Sequence, residues 1–147
     1  MTVFMAGIDD LPGLKDCAEE FYASSKFLRG FNLEMFVKVW TGLIESGSGV
    51  IFGLRDKGVI VGAIGGLVFP DLYSGVLRAT EMFWFVRGES RGDGLRLFHA
   101  LEDWAKMRQC TQIVMVHLSD SMPDRLKGIY ERLGFIEMET HFVKEIG

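Results

Sequence analysis

Apolar residues switch between a helical and an alternating period along this chain, and the switches mark out its elements. Residues 3–5 predict a short first strand. Asp9 or Asp10 then stands as a cap, Pro12 falls at an early helical position, and Leu14, Cys17, Ala18 and Phe21 recur at helical spacing. Asn32 caps a second helix in which Leu33, Phe36, Val37, Trp40 and Ile44 share a face, ending near Gly47. Residues 50–55, the turn Asp56-Lys57-Gly58 and residues 59–69 predict an antiparallel hairpin closed by Pro70. The next strand is predicted over 78–86, where 82–86 are apolar at every position, the pattern of a central strand covered on both faces. Leu97, Phe98, Leu101, Trp104 and Ala105 form a helix stripe, and residues 112–118 are a β-branched run that predicts a strand. Leu126, Ile129, Tyr130 and Leu133 then share one helix face, with Pro123 near its start and Gly134 just past its end. Residues 135–138 and 140–146 predict two closing strands. The resulting order of strands and helices is that of an α/β domain on a mixed sheet, with helices on both sides.

Composition narrows this picture. A chain of 147 residues, 48% apolar, is one domain's worth with enough apolar surface for a sizeable core, so a single domain over 1–147 is expected. A net charge of −4 without long runs of like charge argues against a broad nucleic-acid surface. Cys17 and Cys110 stand at neither metal-ligand nor disulfide-framework spacing, which favours a reducing, cytoplasmic setting. His99, His117 and His141 are dispersed, so no metal is expected. The N-terminus lacks a signal pattern and no apolar run approaches spanning length, so no membrane association is expected.

The stretch from Val86 to Arg96 carries the most chemistry. It leads from the apolar strand through Gly88, Gly92 and Gly94 into the stripe that begins at Leu95. A strand turning through glycines into a helix start presents backbone N–H groups to a phosphate, and glycine lets that backbone come close. A phosphorylated ligand is the expectation.

Arg91-Gly92-Asp93-Gly94-Leu95-Arg96 resembles the Arg/Gln-x-x-Gly-x-Gly/Ala acyl-CoA motif of the GNAT superfamily, the Gcn5-related N-acetyltransferases. Tyr130-Glu131-Arg132-Leu133-Gly134-Phe135 is similar to its second signature, the tyrosine-to-Gly-Phe segment. The two motifs lie in order at about the usual separation, and the element order matches over essentially the whole chain. The short length and the closing stretch 139–144 also resemble small phage-type members. The resemblance implies a mixed, mostly antiparallel sheet of six to seven strands flanked by about four helices. It implies acetyl-CoA as co-substrate and transfer of its acetyl group to a primary amine, small-molecule or peptide, by direct attack in a ternary complex. Main-chain groups from Gly92, Asp93, Gly94, Leu95 and Arg96, with the Arg91 side chain, would bind the pyrophosphate. Phe85 and Val86 would pair with the pantetheine arm, and a Val86 N–H facing the thioester carbonyl would be worth roughly 3 kcal/mol as an oxyanion donor. Tyr130 would protonate the leaving thiolate, with a core aromatic on the apolar stripe as its plain alternative. Glu81, the one carboxylate adjoining the apolar run, is the candidate base if burial raises its pKa, and a solvated strand end is its plain alternative.

Two positions depart from the family pattern. Arg96 stands where a second glycine or alanine is usual, and it would either crowd the pyrophosphate or pair with it. Pro123 replaces an asparagine often found seven residues before the tyrosine, with Ser119, Asp120 and Ser121 nearby as substitutes. Both leave open a second reading, a catalytically inactive acyl-CoA-binding or protein-interaction module on the same fold. Gly62-Ala63-Ile64-Gly65-Gly66 lies within a strand and so reads as close packing or a bulge rather than a dinucleotide loop. The stretch 26–31 either lines the acceptor pocket or simply joins two helices, and sheet pairing or aromatic loops give a route to a homodimer.

Overall fold

The computed structural model describes residues 1–120 and 123–147, which fall into two compact units, Met1–Val116 and His117–Gly147. The first unit is built on a five-stranded sheet in the order β1 (Thr2–Met5), β2 (Gly49–Asp56), β3 (Val59–Pro70), β4 (Leu77–Val86) and β5 (Gln112–Val114). Neighbours are antiparallel except β4 and β5, which run parallel. A parallel neighbour requires a crossover, and α3 (Gly94–Met107) supplies it.

Local chemistry sets the element ends. Asp10 Oδ2 accepts the Gly7 N–H at 2.9 Å and starts a 3-10 segment, Ile8–Leu14, whose Pro12 delays the true helix α1 to Lys15–Ala23. Asn32 Oδ1 accepts the Met35 N–H at 3.0 Å and caps α2 (Leu33–Glu45) as its sequence predicts.

Two cores sandwich the sheet. Leu11, Leu14, Cys17, Ala18 and Trp40 cover one face against Ile51, Ala63, Phe83 and Phe85. Leu97, Leu101, Trp104 and Ala105 of α3 cover the other against Val50, Leu54, Ile64 and Ala79. Side chains on a strand alternate between faces, yet Ala79 joins the α3 core while Phe83, an even number of residues on, joins the opposite one. The register explains the swap. Gly65 pairs with Phe83 and Gly66 with Glu81, so Met82 is an extra residue, a β-bulge, and it is 52% exposed. A second bulge on β3 leaves Val61 between Leu54–Gly62 and Arg55–Ile60 pairs. The glycines between these bulges serve close packing: a Cβ on Gly65 would overlap Phe83 and Trp40, and one on Gly66 would stand 2.6 Å from Leu101 Cδ1.

The second unit carries α4 (Pro123–Arg132), on which Leu126, Ile129, Tyr130 and Leu133 recur at helical spacing around its half-buried face and C-terminal end. Gly134, at φ +90°, ends it in the left-handed conformation, and the Phe135 N–H returns to the Tyr130 carbonyl at 2.9 Å.

The mixed α/β class holds, while four details of the reading change. Among the described residues the sheet has five strands, not six to seven, because residues 135–138 and 140–146 form no strand. The β-branched run 112–118 contributes only three residues to β5. β4 does not turn straight into a helix, since a 3-10 segment, Gly88–Asp93, intervenes before α3. Finally, the run 82–86 is not covered at every position, because the bulge turns Met82 outward. No helix among the described residues is long and apolar enough to cross a membrane.

Candidate active site

The ladder between β4 and β5 ends early. Only Arg78, Ala79 and Thr80 pair with Gln112, Ile113 and Val114, and from Glu81 onward no strand among the described residues lies on that side of β4. Where the ladder stops, the Glu81 side chain replaces it: Oε2 accepts the Val116 N–H at 2.8 Å. Glu81 is 3% exposed, so the solvated strand end is excluded. Loss of hydration pushes its pKa from the ordinary glutamate value up to about 7, against the Val116 N–H, which favours the charged form. A carboxylate poised there exchanges protons near neutral pH.

Beyond Glu81 the backbone of β4 has no strand partner on that side among the described residues. The Arg87 N–H bonds the Val61 carbonyl at 2.9 Å, towards β3. Because successive amides in a strand point to opposite sides, the Val86 N–H is directed away from β3, to the side where β5 has ended. The side chain of Phe85, by contrast, belongs to the core, stacked on Phe83 with ring centroids 5.3 Å apart. By the same alternation the Phe85 N–H and carbonyl turn towards β3, where Phe85 pairs with Ala63, so the expectation that Phe85 pairs with the pantetheine arm is not met and Val86 presents the outward-facing amide.

The glycines after β4 differ in use. A Cβ on Gly94 would stand 3.3 Å from Val86 Cγ2, so Gly94 lets α3 start hard against the end of β4. Around Gly92 nothing lies within 4 Å of such a Cβ, and Arg91 and Gly92 are exposed. Asp93, the N-cap residue of α3, makes no side-chain cap bond. Its carboxylate instead lies 3.7 Å from Arg96 Nη1, which also donates to the Met1 carbonyl at 3.3 Å. Arg96 thus contacts Met1 and Asp93 at the surface, and Leu95 beside it is exposed. The Gly94 N–H already donates to the Arg91 carbonyl at the end of the 3-10 segment, so what this turn offers a diphosphate is the exposed Arg91 guanidinium and the close approach that the bare Cα of Gly92 allows.

The second unit holds the remaining candidates. Tyr130 is half-buried on α4 with its ring 5.4 Å from that of Phe135. Ser119 and Asp120 are exposed, and Ser121 lies outside the described residues. No group of three or more His, Cys, Asp or Glu suited to a metal occurs among the described residues.

Three features went unseen in the sequence. The bulge at Met82 has no local signature, because its cause is the register with β3. Arg87 forms an ion pair with Glu20 at 3.4 Å, tying the start of the glycine turn to α1. An open groove of about 300 Å³ also lies between α1 and α2, and Gly30 and Phe31 of the 26–31 connection help to line it.

A sequence model of the acetyltransferase (GNAT) family matches residues 15–135. The chain belongs to the GNAT acetyltransferase family. Solved structures agree with the GNAT fold. A transcriptional regulator from Bacillus halodurans C-125 superimposes with a TM-score of 0.81 at 23% identity over 99% of both chains. A ribosomal-protein-alanine N-acetyltransferase from Brucella melitensis biovar Abortus 2308 does so at 0.76 and 18% identity, again over 99% of each. A predicted acetyltransferase from Clostridium acetobutylicum, solved with acetyl-CoA, gives 0.77 at 15% identity over 98% of this chain and 95% of that one. No curated protein sequence matches significantly.

Proposed function

We propose that this GNAT protein is an acetyl-CoA-dependent N-acetyltransferase acting on a primary amine. The observation that carries the proposal is Glu81, a buried carboxylate with its pKa near 7, placed where β4 and β5 part. Burying a carboxyl group is costly, and while its bond to the Val116 N–H ends the ladder, its raised pKa also suits it to exchange protons at neutral pH.

Acetyl-CoA, when bound, supplies an acetyl group activated as a thioester. The exposed backbone around Gly92 and the Arg91 guanidinium hold the diphosphate, with Gly94 setting the approach of α3. The outer edge of β4 at Val86 faces the pantetheine arm, and the Val86 N–H stabilises negative charge on the acetyl oxygen. A neutral amine attacks the acetyl carbonyl carbon. As the C–N bond forms and the C–S bond breaks, Glu81 takes the proton from nitrogen and Tyr130 gives its phenolic proton to the departing thiolate. The products are an amide and a thiol, and solvent returns both side chains to their starting states. The role of Tyr130 is supported by its Gly134-Phe135 motif.

Arg96 makes surface contacts with Met1 and with Asp93, itself part of the turn, so binding and turnover decide between enzyme and inactive module. Calorimetry with acetyl-CoA, followed by a thiol-release assay over a panel of amines, tests the proposal. Binding with turnover is expected. Binding without turnover on any amine would restore the module reading, and no binding at all would reject both.

A further inference from the structure

The hairpin of β3 and β4 overhangs the sheet. Gly49, the first residue of β2, pairs with Leu67, and the Val68 N–H reaches the Ser48 carbonyl at 2.8 Å, so past Val68 the outer side of β3 has no strand neighbour among the described residues. The tip of the overhang is built around one carboxylate. Asp71 Oδ1 accepts the N–H groups of Tyr73 and Ser74 at 3.0 and 2.9 Å and the Ser74 hydroxyl at 3.0 Å. Asp71 Oδ2 lies 3.4 Å from Arg78 Nη2, and Arg78 Nε donates to Gln112 Oε1 at 3.0 Å. The loop closes with the Asp71 N–H on the Val76 carbonyl and the Gly75 N–H on the Asp71 carbonyl, both at 2.8 Å, with Gly75 at φ +74°. These polar groups are satisfied within the tip itself. What the frame turns outward is apolar: Leu72 and Tyr73 are 89% and 99% exposed, and Phe69 and Val76 are 40% and 43% exposed. Phe69 pairs with Arg78 and Val76 stands two residues before it, so Phe69 and Val76 share a face of the hairpin.

We infer that this tip is a contact surface whose partner is a second copy of the chain, the two tips meeting about a two-fold axis. Charge selects that partner. The chain carries a net charge of −4, so two copies repel wherever their charges face. Between Leu67 and Arg78 the only charged residues are Asp71 and Arg78, which pair with each other, so identical tips can meet without like-charge repulsion. Area agrees with a weak dimer. At about 200 Å² for a fully exposed large side chain, the four residues present roughly 500 Å², the upper range for an apolar patch on a monomer. Two such patches bury roughly 1,000 Å² together, the low end for a specific contact. The hydrogen-bonded frame already fixes the loop, so little ordering is lost on association. Pro70 has no N–H to donate along the overhanging edge, which leaves side chains rather than added strands to make the contact. The tip precedes β4 at Leu77 and the glycine turn follows it at Val86, about 30 Å along the strand, so a copy seated there leaves the diphosphate turn uncovered.

Sedimentation velocity of the full chain over a concentration series tests the contact. The parent is expected to be half-associated at roughly 10–100 μM, as suits an interface of this size. Leu72→Asp, and independently Tyr73→Asp, set a carboxylate against its own copy across the two-fold axis. Each is expected to weaken association by at least about tenfold. Both positions are exposed, so the melting temperature of dilute protein should stay at the parent value, which separates a lost contact from a lost fold. A parent that remains monomeric throughout the series overturns the inference, as does a dimer that both variants leave intact. Co-sedimentation with phosphatidylcholine vesicles, abolished by either variant in a chain that does not self-associate, would assign the tip to a lipid surface and would also overturn it.

Discussion

At the scale of single residues, the proposed mechanism divides the proton traffic between Glu81 and Tyr130, and each role would leave a different kinetic trace. Glu81 accepts a proton only when ionised, and burial holds its pKa at about 7. The kcat/KM for a good amine should therefore rise with pH through about 7 and then level, as initial rates across a pH series will show. Glu81→Gln keeps an acceptor for the Val116 N–H but cannot take a proton. It should flatten that limb and lower kcat by about 10²–10⁴-fold. Tyr130→Phe removes one hydroxyl from a half-buried position, so it should lower kcat with little change in KM. Equal rates in the parent and Tyr130→Phe would remove the phenol from the chemistry. Glu81 was legible in the sequence because it is the one carboxylate adjoining an apolar run. Its partner was not, since the Val116 amide lies 35 positions away and reaches it only through the early end of β5.

At the scale of elements, the passage from β4 to α3 assigns different work to neighbouring glycines. Gly94→Val would drive a branched side chain against Val86 and Trp84, and overpacking of this kind costs about 1–3 kcal/mol. Gly92→Val meets open space, so its stability should stay within about 0.5 kcal/mol of the parent while its affinity for acetyl-CoA falls. Urea unfolding and calorimetry on the two variants separate packing from ligand approach; a Gly94→Val protein as stable as Gly92→Val would refute the assignment. Helices and the first four strands were readable because caps and periodicity are local, as with Asn32 and α2. The bulge at Met82, the short β5 and the 3-10 segment at Gly88–Asp93 were not. Each depends on what lies across a ladder or under a turn. The stretch 135–146 makes the same point in reverse: alternation records a chain suited to pairing, whereas a strand exists only where another backbone completes its hydrogen bonds.

At the scale of the whole molecule, the buried carboxylate links folding to pH with a definite sign. Below about 4.5 the folded and unfolded chains both hold the Glu81 proton, and the group leaves stability unchanged. Between about 4.5 and 7 the unfolded chain has released that proton while the folded chain keeps it, so stability falls as pH rises. Above 7 the full cost is present, on the order of 3 kcal/mol, a large share of what holds an ordinary domain together. Glu81→Gln stays neutral throughout and escapes this loss. Other groups titrate over the same range in both proteins, so the informative quantity is the difference between their unfolding free energies. From urea titrations, that difference should be smallest near pH 4.5 and should grow in favour of the variant up to about pH 8. Parallel stability curves would mean that Glu81 is hydrated in solution, and a hydrated carboxylate would lose the raised pKa that makes it the candidate base. A widening gap together with lost turnover would show one side chain lowering stability while serving the reaction, the trade expected where a polar group is held dry for chemistry rather than for packing.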